Sequence, residues 1–192
     1  MTHDEMHSDV DANGNADPNT DAAEPAIRYR VDGRDQQGTL VRPFGCHPQL
    51  PIVRRIGDRP LFIGNRFAAD PERCDRAFDA VLTVAEDEEP GTTHFRPMVD
   101  GYEADWDRFR DAVDAARQLY HEDGSLLVHC KAGISRSNTV IATTIACEEE
   151  PSLGEAFDLV RAARPHAVAH PRLHELAVFY VAGYGDRFMG RD

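Results

Sequence analysis

The stretch Leu126-Leu127-Val128-His129-Cys130-Lys131-Ala132-Gly133-Ile134-Ser135-Arg136-Ser137 constrains this chain more than any other. An apolar run of β-formers stops at a His-Cys pair, small residues and a glycine follow, and Arg-Ser opens an apolar-periodic segment. That order predicts strand, tight loop, helix. If the residues after Cys130 wrap into a cradle, the backbone N–H groups of Lys131, Ala132, Gly133, Ile134 and Ser135 converge, and the dipole of the following helix adds positive potential. Such a cradle suits a dianion. A thiol at its floor feels the same field, so its thiolate form is favoured. Arg136 presents a planar fork able to hold two phosphoryl oxygens, and Gly133 removes the Cβ where the turn needs unusual torsions. His129 and Ser137 read as supporting groups: the imidazole orders the loop, and the hydroxyl donates to the sulfur and eases its departure as a leaving group.

His-Cys-x5-Arg, and more narrowly His-Cys-x-Ala-Gly-x-Ser-Arg-Ser, resembles the signature of cysteine-dependent phosphatases of the dual-specificity type, in the protein tyrosine phosphatase superfamily. The resemblance extends over residues 51–183. Leu61-Phe62-Ile63-Gly64 is similar to the family's early strand, Val81-Leu82-Thr83-Val84-Ala85 to its central strand, and Arg164-Pro165 to its arginine-proline turn before the last helix. Ala169-His170 departs from it, standing where the family usually shows Pro-Asn.

The resemblance implies a phosphocysteine route without metal or cofactor, and an aspartate as proton donor on a loop roughly thirty residues before the nucleophile. Asp100, in Pro97-Met98-Val99-Asp100, stands there. Asp105 and Asp107 compete, but they read as a helix start, where an acid complements the dipole, and Glu103 reads as solvated. The expected substrate is a phosphorylated protein carrying phosphotyrosine, phosphoserine or phosphothreonine, or a small phosphomonoester. Lys131, beside the nucleophile, keeps a phosphoinositide or phosphatidylglycerophosphate headgroup as an alternative, and a non-catalytic phosphate-binding module is a third reading. His166, His170 and His174 recur at helical spacing, but Pro165 and Pro171 interrupt that helix, so a metal site is not expected.

The 192 residues suit one domain with a substantial core. Net charge is −13 and Lys131 is the only lysine. So acidic a chain repels nucleic acid and anionic membrane, and the acidic, lysine-poor, alanine-rich composition matches proteins that work in concentrated salt, where self-repulsion is screened. Cys46, Cys74, Cys130 and Cys147 form no disulfide framework, and a reducing cytoplasm is expected. No basic start with an apolar core marks a secretory signal, and no apolar run is long enough to span a bilayer. Oligomeric state is not legible. Cys147, on an apolar helix stripe, reads as core, with a resolving role toward an oxidised Cys130 as the alternative.

Residues 1–26 hold seven acidic residues and no lysine or arginine, which predicts a disordered tail. Residues 27–50 show weak strand signals, Ile27 to Val31 and Thr39 to Val41, and form an extension without an assignable role ahead of the phosphatase-like domain, itself read within 27–192. Short strands are expected at Ile52 to Ile56, Leu61 to Gly64, Ala80 to Ala85 and Thr93 to Val99, the last weakened by Pro97. Helices are expected from Asp70-Pro71, from Asp105 through Tyr120, after the loop through Cys147, from the capping box Ser152-x-x-Glu155, and from Pro171. The sum is an α/β fold: a mostly parallel sheet of about five strands flanked by helices, with the phosphate-binding loop between the last strand and a helix.

Overall fold

A computed structural model describes residues 50–149 and 151–188, the side chains of 184–188 excepted. The expected tail, the strand signals of 27–49 and Cys46 lie outside the described residues. Among the described residues five strands form the sheet: β1 (Val53–Arg55), β2 (Leu61–Gly64), β3 (Ala80–Thr83), β4 (His94–Phe95) and β5 (Leu126–His129). Their spatial order is β1-β2-β5-β3-β4, antiparallel only between β1 and β2. The same described residues form four α-helices, α1 (Trp106–Tyr120), α2 (Arg136–Glu148), α3 (Leu153–Ala163) and α4 (Pro171–Phe188). The mostly parallel α/β fold is therefore the one expected.

Strand side chains alternate between two cores, as the two-residue pleat requires. Leu61, Ile63, Leu82, Leu126 and Val128 join the large core packed by the helices, whereas Phe62, Val81 and Leu127 face the opposite way, onto Ala68 and Ala69 of a short 3₁₀ turn, Arg66–Ala69. Helix α2 is buried nearly all round, packed on the sheet and on the other three helices. Its threonines avoid unpaired buried hydroxyls by bonding back one turn: Thr139 to Ser135 O, Thr143 to Thr139 O and Thr144 to Val140 O, at 2.7 to 2.9 Å.

Two expected elements differ. The segment from Asp70-Pro71 turns once, with Arg73 and Cys74 N–H bonding Asp70 O, and then runs extended instead of helical. A single turn does not repay helix nucleation, and the extended course lets Phe78 meet Phe62 at 5.4 Å between ring centroids while the Arg76 guanidinium lies 4.0 Å from that ring. The strand expected over 93–99 shrinks to His94–Phe95 at the sheet edge, ending before Pro97. Elsewhere the caps are as read: Asp105 accepts from Arg108 N–H at 2.9 Å, and Ser152 with Glu155 closes the capping box. Among the described residues no helix is long and apolar enough to cross a membrane.

Because β5 lies between β2 and β3, its C-terminal end opens at the point where chain connections leave in opposite directions. Segments leaving β2, β3 and β4 all emerge beside it. That convergence positions the site.

Candidate active site

The loop from Cys130 to Ser135 joins β5 to α2 and is held from outside by its own carbonyls. Lys131 O accepts from Arg66 N–H (3.4 Å), Gly133 O from Arg164 Nε (3.4 Å), and Ile134 O from Val168 N–H (3.0 Å). Arg164 is fully buried, so an arginine-proline turn read only as a family mark proves to be a strut beneath the loop. Gly133 has φ +66°, and a Cβ there would lie 2.8 Å from Gly64 O. Torsion and space both demand glycine.

Carbonyls drawn outward leave the amides for the interior. The Cys130 sulfur lies 3.3 Å from Ser137 Oγ, and the residue is 2 % exposed. Burial by itself would raise its pKa, but the Arg136 charge, the Ser137 hydroxyl and the N–H groups of Ser137 and Ile134 outweigh burial, and the thiol is held below its ordinary 9.0. Cys147 shows the opposite balance: burial chiefly pushes it up to about 11, with Arg117 opposing and Glu148 and Asp114 adding. It belongs to the large core. Cys74, Cys130 and Cys147 are all free thiols.

Arg136 opens α2 and is almost wholly buried. Its Nη1 donates to Met98 O at 3.0 Å, while its Nε makes no hydrogen bond and has Asp100 Oδ2 3.8 Å away. A buried guanidinium with an unused donor beside an acidified thiol is arranged to receive an anion. Ser135 at the helix N-cap places no side-chain bond on the helix amides, which leaves the N-terminal N–H groups for a ligand. Its hydroxyl turns outward instead, donating to Asp100 Oδ1 (2.7 Å) and accepting from His170 N–H (3.0 Å).

Asp100 thus meets the loop from the segment after β4. Its competitors are engaged elsewhere: Asp105 caps α1 and Asp107 pairs with Arg110 at 3.1 Å. His129 faces away from solvent, its Nε2 2.6 Å from Thr83 Oγ1, which in turn meets Thr92 Oγ1 at 2.7 Å. Burial first, opposed by the Cys130 backbone and helped by Arg66, pushes the imidazole down to about 4. A neutral, hydrogen-bonded ring is a brace. Lys131 is exposed. His170 packs edge-on to Tyr102 and His174 stacks on Phe157, and no cluster of metal-ligating side chains occurs among the described residues.

Sequence reasoning missed Thr83, Asn65 and Glu86. Asn65 is buried behind Gly133, its Oδ1 accepting from the N–H groups of Ile52 (3.0 Å) and Ala68 (3.2 Å) and its Nδ2 donating to Leu50 O (2.8 Å). An asparagine directly after a glycine-ended strand was the available signal. Thr83 and Glu86 gave none.

The sequence pattern of the dual specificity phosphatase catalytic domain matches residues 71–180, more than half of the chain. This chain belongs to the dual specificity phosphatase family. Rat dual specificity protein phosphatase 5 is 34 % identical over 114 residues, 54 % of this chain and 29 % of that protein. Mouse dual specificity protein phosphatase 12 is 30 % identical over 162 residues, 73 % of this chain and 47 % of that one. The chain therefore spans less than half the length of these relatives. Among solved structures, a mouse protein described as a dual specificity phosphatase complexed with zinc tungstate is 26 % identical with a TM-score of 0.62, covering 80 % of this chain and all of that one. Human DUSP28, at 23 % identity and TM-score 0.60, covers 71 % of this chain and 99 % of its own and shares the fold.

Proposed function

We propose that this dual specificity phosphatase hydrolyses phosphotyrosine, phosphoserine and phosphothreonine monoesters of proteins through a phosphocysteine intermediate. The observation that carries the reading is Cys130: a buried thiol held acidic by Arg136, by Ser137 and by loop amides. Its named relatives are protein phosphatases. In the first step the Cys130 thiolate attacks phosphorus in line, and the P–O bond to the leaving oxygen breaks. The loop amides from Lys131 to Ser135 and the Arg136 fork hold the equatorial oxygens, and Asp100 gives its proton to the departing oxygen. In the second, Asp100 takes a proton from water, the hydroxide displaces the sulfur, and the Ser137 hydroxyl, 3.3 Å from it, stabilises the returning thiolate.

A reducing cytoplasm suits a nucleophile that has to remain a free thiol, and the charge of −13 disfavours nucleic acid and anionic membrane. The acidic tail of residues 1–26 lies outside this chemistry, and high salt is the expected working medium. The test is turnover of an aryl phosphate and of phosphotyrosine and phosphothreonine peptides in EDTA and molar KCl. Hydrolysis with a burst of leaving group and a trapped phosphoenzyme supports the route. Hydrolysis without a covalent intermediate refutes it.

A further inference from the structure

Glu86 follows β3 and has no part in the two-step route. Its Oε2 lies 3.8 Å from Arg136 Nη1, yet its side chain is 64 % exposed while that of Arg136 is 5 % exposed. The carboxylate therefore stands at the rim, where the buried guanidinium meets solvent. The segment behind it is fixed. Glu89 turns inward to Arg66 (2.8 Å), and its backbone N–H donates to Thr92 Oγ1 (3.0 Å). Asp87 and Glu88, between them, are exposed.

Without substrate, Arg136 offers Glu86 a cation. Once a phosphoryl dianion engages Arg136, that charge is consumed, and Glu86 is left close to a second anion of like sign. A positive side chain carried by the substrate beside its phosphorylated residue relieves the conflict. The net charge of −13 acts in the same sense at longer range, drawing cationic peptides and repelling acidic ones. We propose that Glu86 is a specificity-determining residue selecting phosphorylated sites flanked by arginine or lysine. This rests on the phosphatase reading above.

The experiment compares kcat/KM for two phosphotyrosine peptides that differ only in arginine or glutamate at the flanking positions. The full chain is used as wild type, Glu86→Gln and Glu122→Gln. Glu122 is exposed just past the end of α1, ahead of β5 and so at the opposite end of that strand from the loop, and its substitution removes the same charge from the molecule. The wild type should favour the arginine-flanked peptide by about tenfold at low salt. Glu86→Gln should cut that ratio by roughly three- to fivefold, mainly through KM, and Glu122→Gln by less than about 1.5-fold. Because the ratio cancels any effect on the shared chemistry, a slower Glu86→Gln enzyme is still informative. An unchanged ratio in Glu86→Gln, an equal change in Glu122→Gln, or a preference for the glutamate-flanked peptide overturns the assignment. Turnover of an aryl phosphate with a flat ratio leaves the phosphatase reading standing and removes the specificity role. No turnover of any substrate overturns both.

Discussion

Two loops meet beside Cys130 and Arg136, and they are built differently. The loop from Cys130 to Ser135 is largely buried, with carbonyls bound by Arg66, Arg164 and Val168 and a glycine wedged against Gly64. The segment bearing Asp100 is half-buried up to Pro97 and exposed at Val99 and Asp100, and the carboxylate reaches the loop through one hydrogen bond, from Ser135 Oγ. A nucleophile and an oxyanion cradle need fixed geometry throughout both steps. A proton carrier must change charge and accommodate first a leaving group and then water, so a single tether at an exposed position suits it.

If this division of labour is right, removing the nucleophile and removing the acid have different consequences. Cys130→Ser should lower hydrolysis of every substrate by at least about 10⁴-fold. Asp100→Ala should cost roughly 10²- to 10³-fold with phosphotyrosine or phosphoserine peptides and much less with a nitrophenyl phosphate, whose leaving group departs without a proton. Steady-state rates across a leaving-group series check this. Equal losses on all substrates would mean that Asp100 positions and does not protonate.

The loop's rigidity is tested from beneath. Arg164→Met keeps much of the buried stem and removes the guanidinium that reaches Gly133 O, so unfolding in urea should show a loss of about 3 kcal/mol, accompanied by slower alkylation of Cys130 as the cradle slackens. Unchanged stability would show that the loop holds itself without its strut.

His129 ties the same loop to the sheet through Thr83, and its titration gives a pH signature. The imidazole is neutral in the folded chain with its pKa lowered from 6.5 to about 4. The unfolded chain therefore binds a proton first as pH falls. Its contribution is complete above about 6.5 and is lost between there and 4, amounting to about 3 kcal/mol. Denaturation across that window, compared with Thr83→Val, checks it. A Thr83→Val chain with the same slope would separate burial from the hydrogen bond, and a wild type with no slope would refute the buried neutral ring.

What was legible beforehand follows from how local each signal is. Cys130, Arg136 and Gly133 share one contiguous stretch, and the stretch's own pattern of strand, small residues and helix gives their relation. The capping pair Ser152 and Glu155 is equally local. The supports were not legible because they are contacts between remote segments: Arg164 with Gly133 is a separation of 31 residues, and Thr83 with His129 one of 46. The helix expected at Asp70 failed for a related reason. Its cap signal is sound, but the decisive partner, Phe62, lies on another strand.

Ser135 is where the two loops touch, and its replacement should have the smallest effect and the sharpest meaning. Its backbone N–H is the group expected to face a phosphate, and its hydroxyl spans Asp100 and His170 N–H. Ser135→Ala should lower the unfolding free energy by no more than about 2 kcal/mol, since two part-buried hydrogen bonds are lost, the one to Asp100 and the one from His170 N–H. Hydrolysis of a peptide phosphate should fall by roughly five- to tenfold, and of a nitrophenyl phosphate by less than about twofold. Ser135→Thr, which keeps a hydroxyl, should restore the peptide rate. If peptide and nitrophenyl phosphate slow equally, the hydroxyl serves the cradle, and the acid's position is set by its own loop.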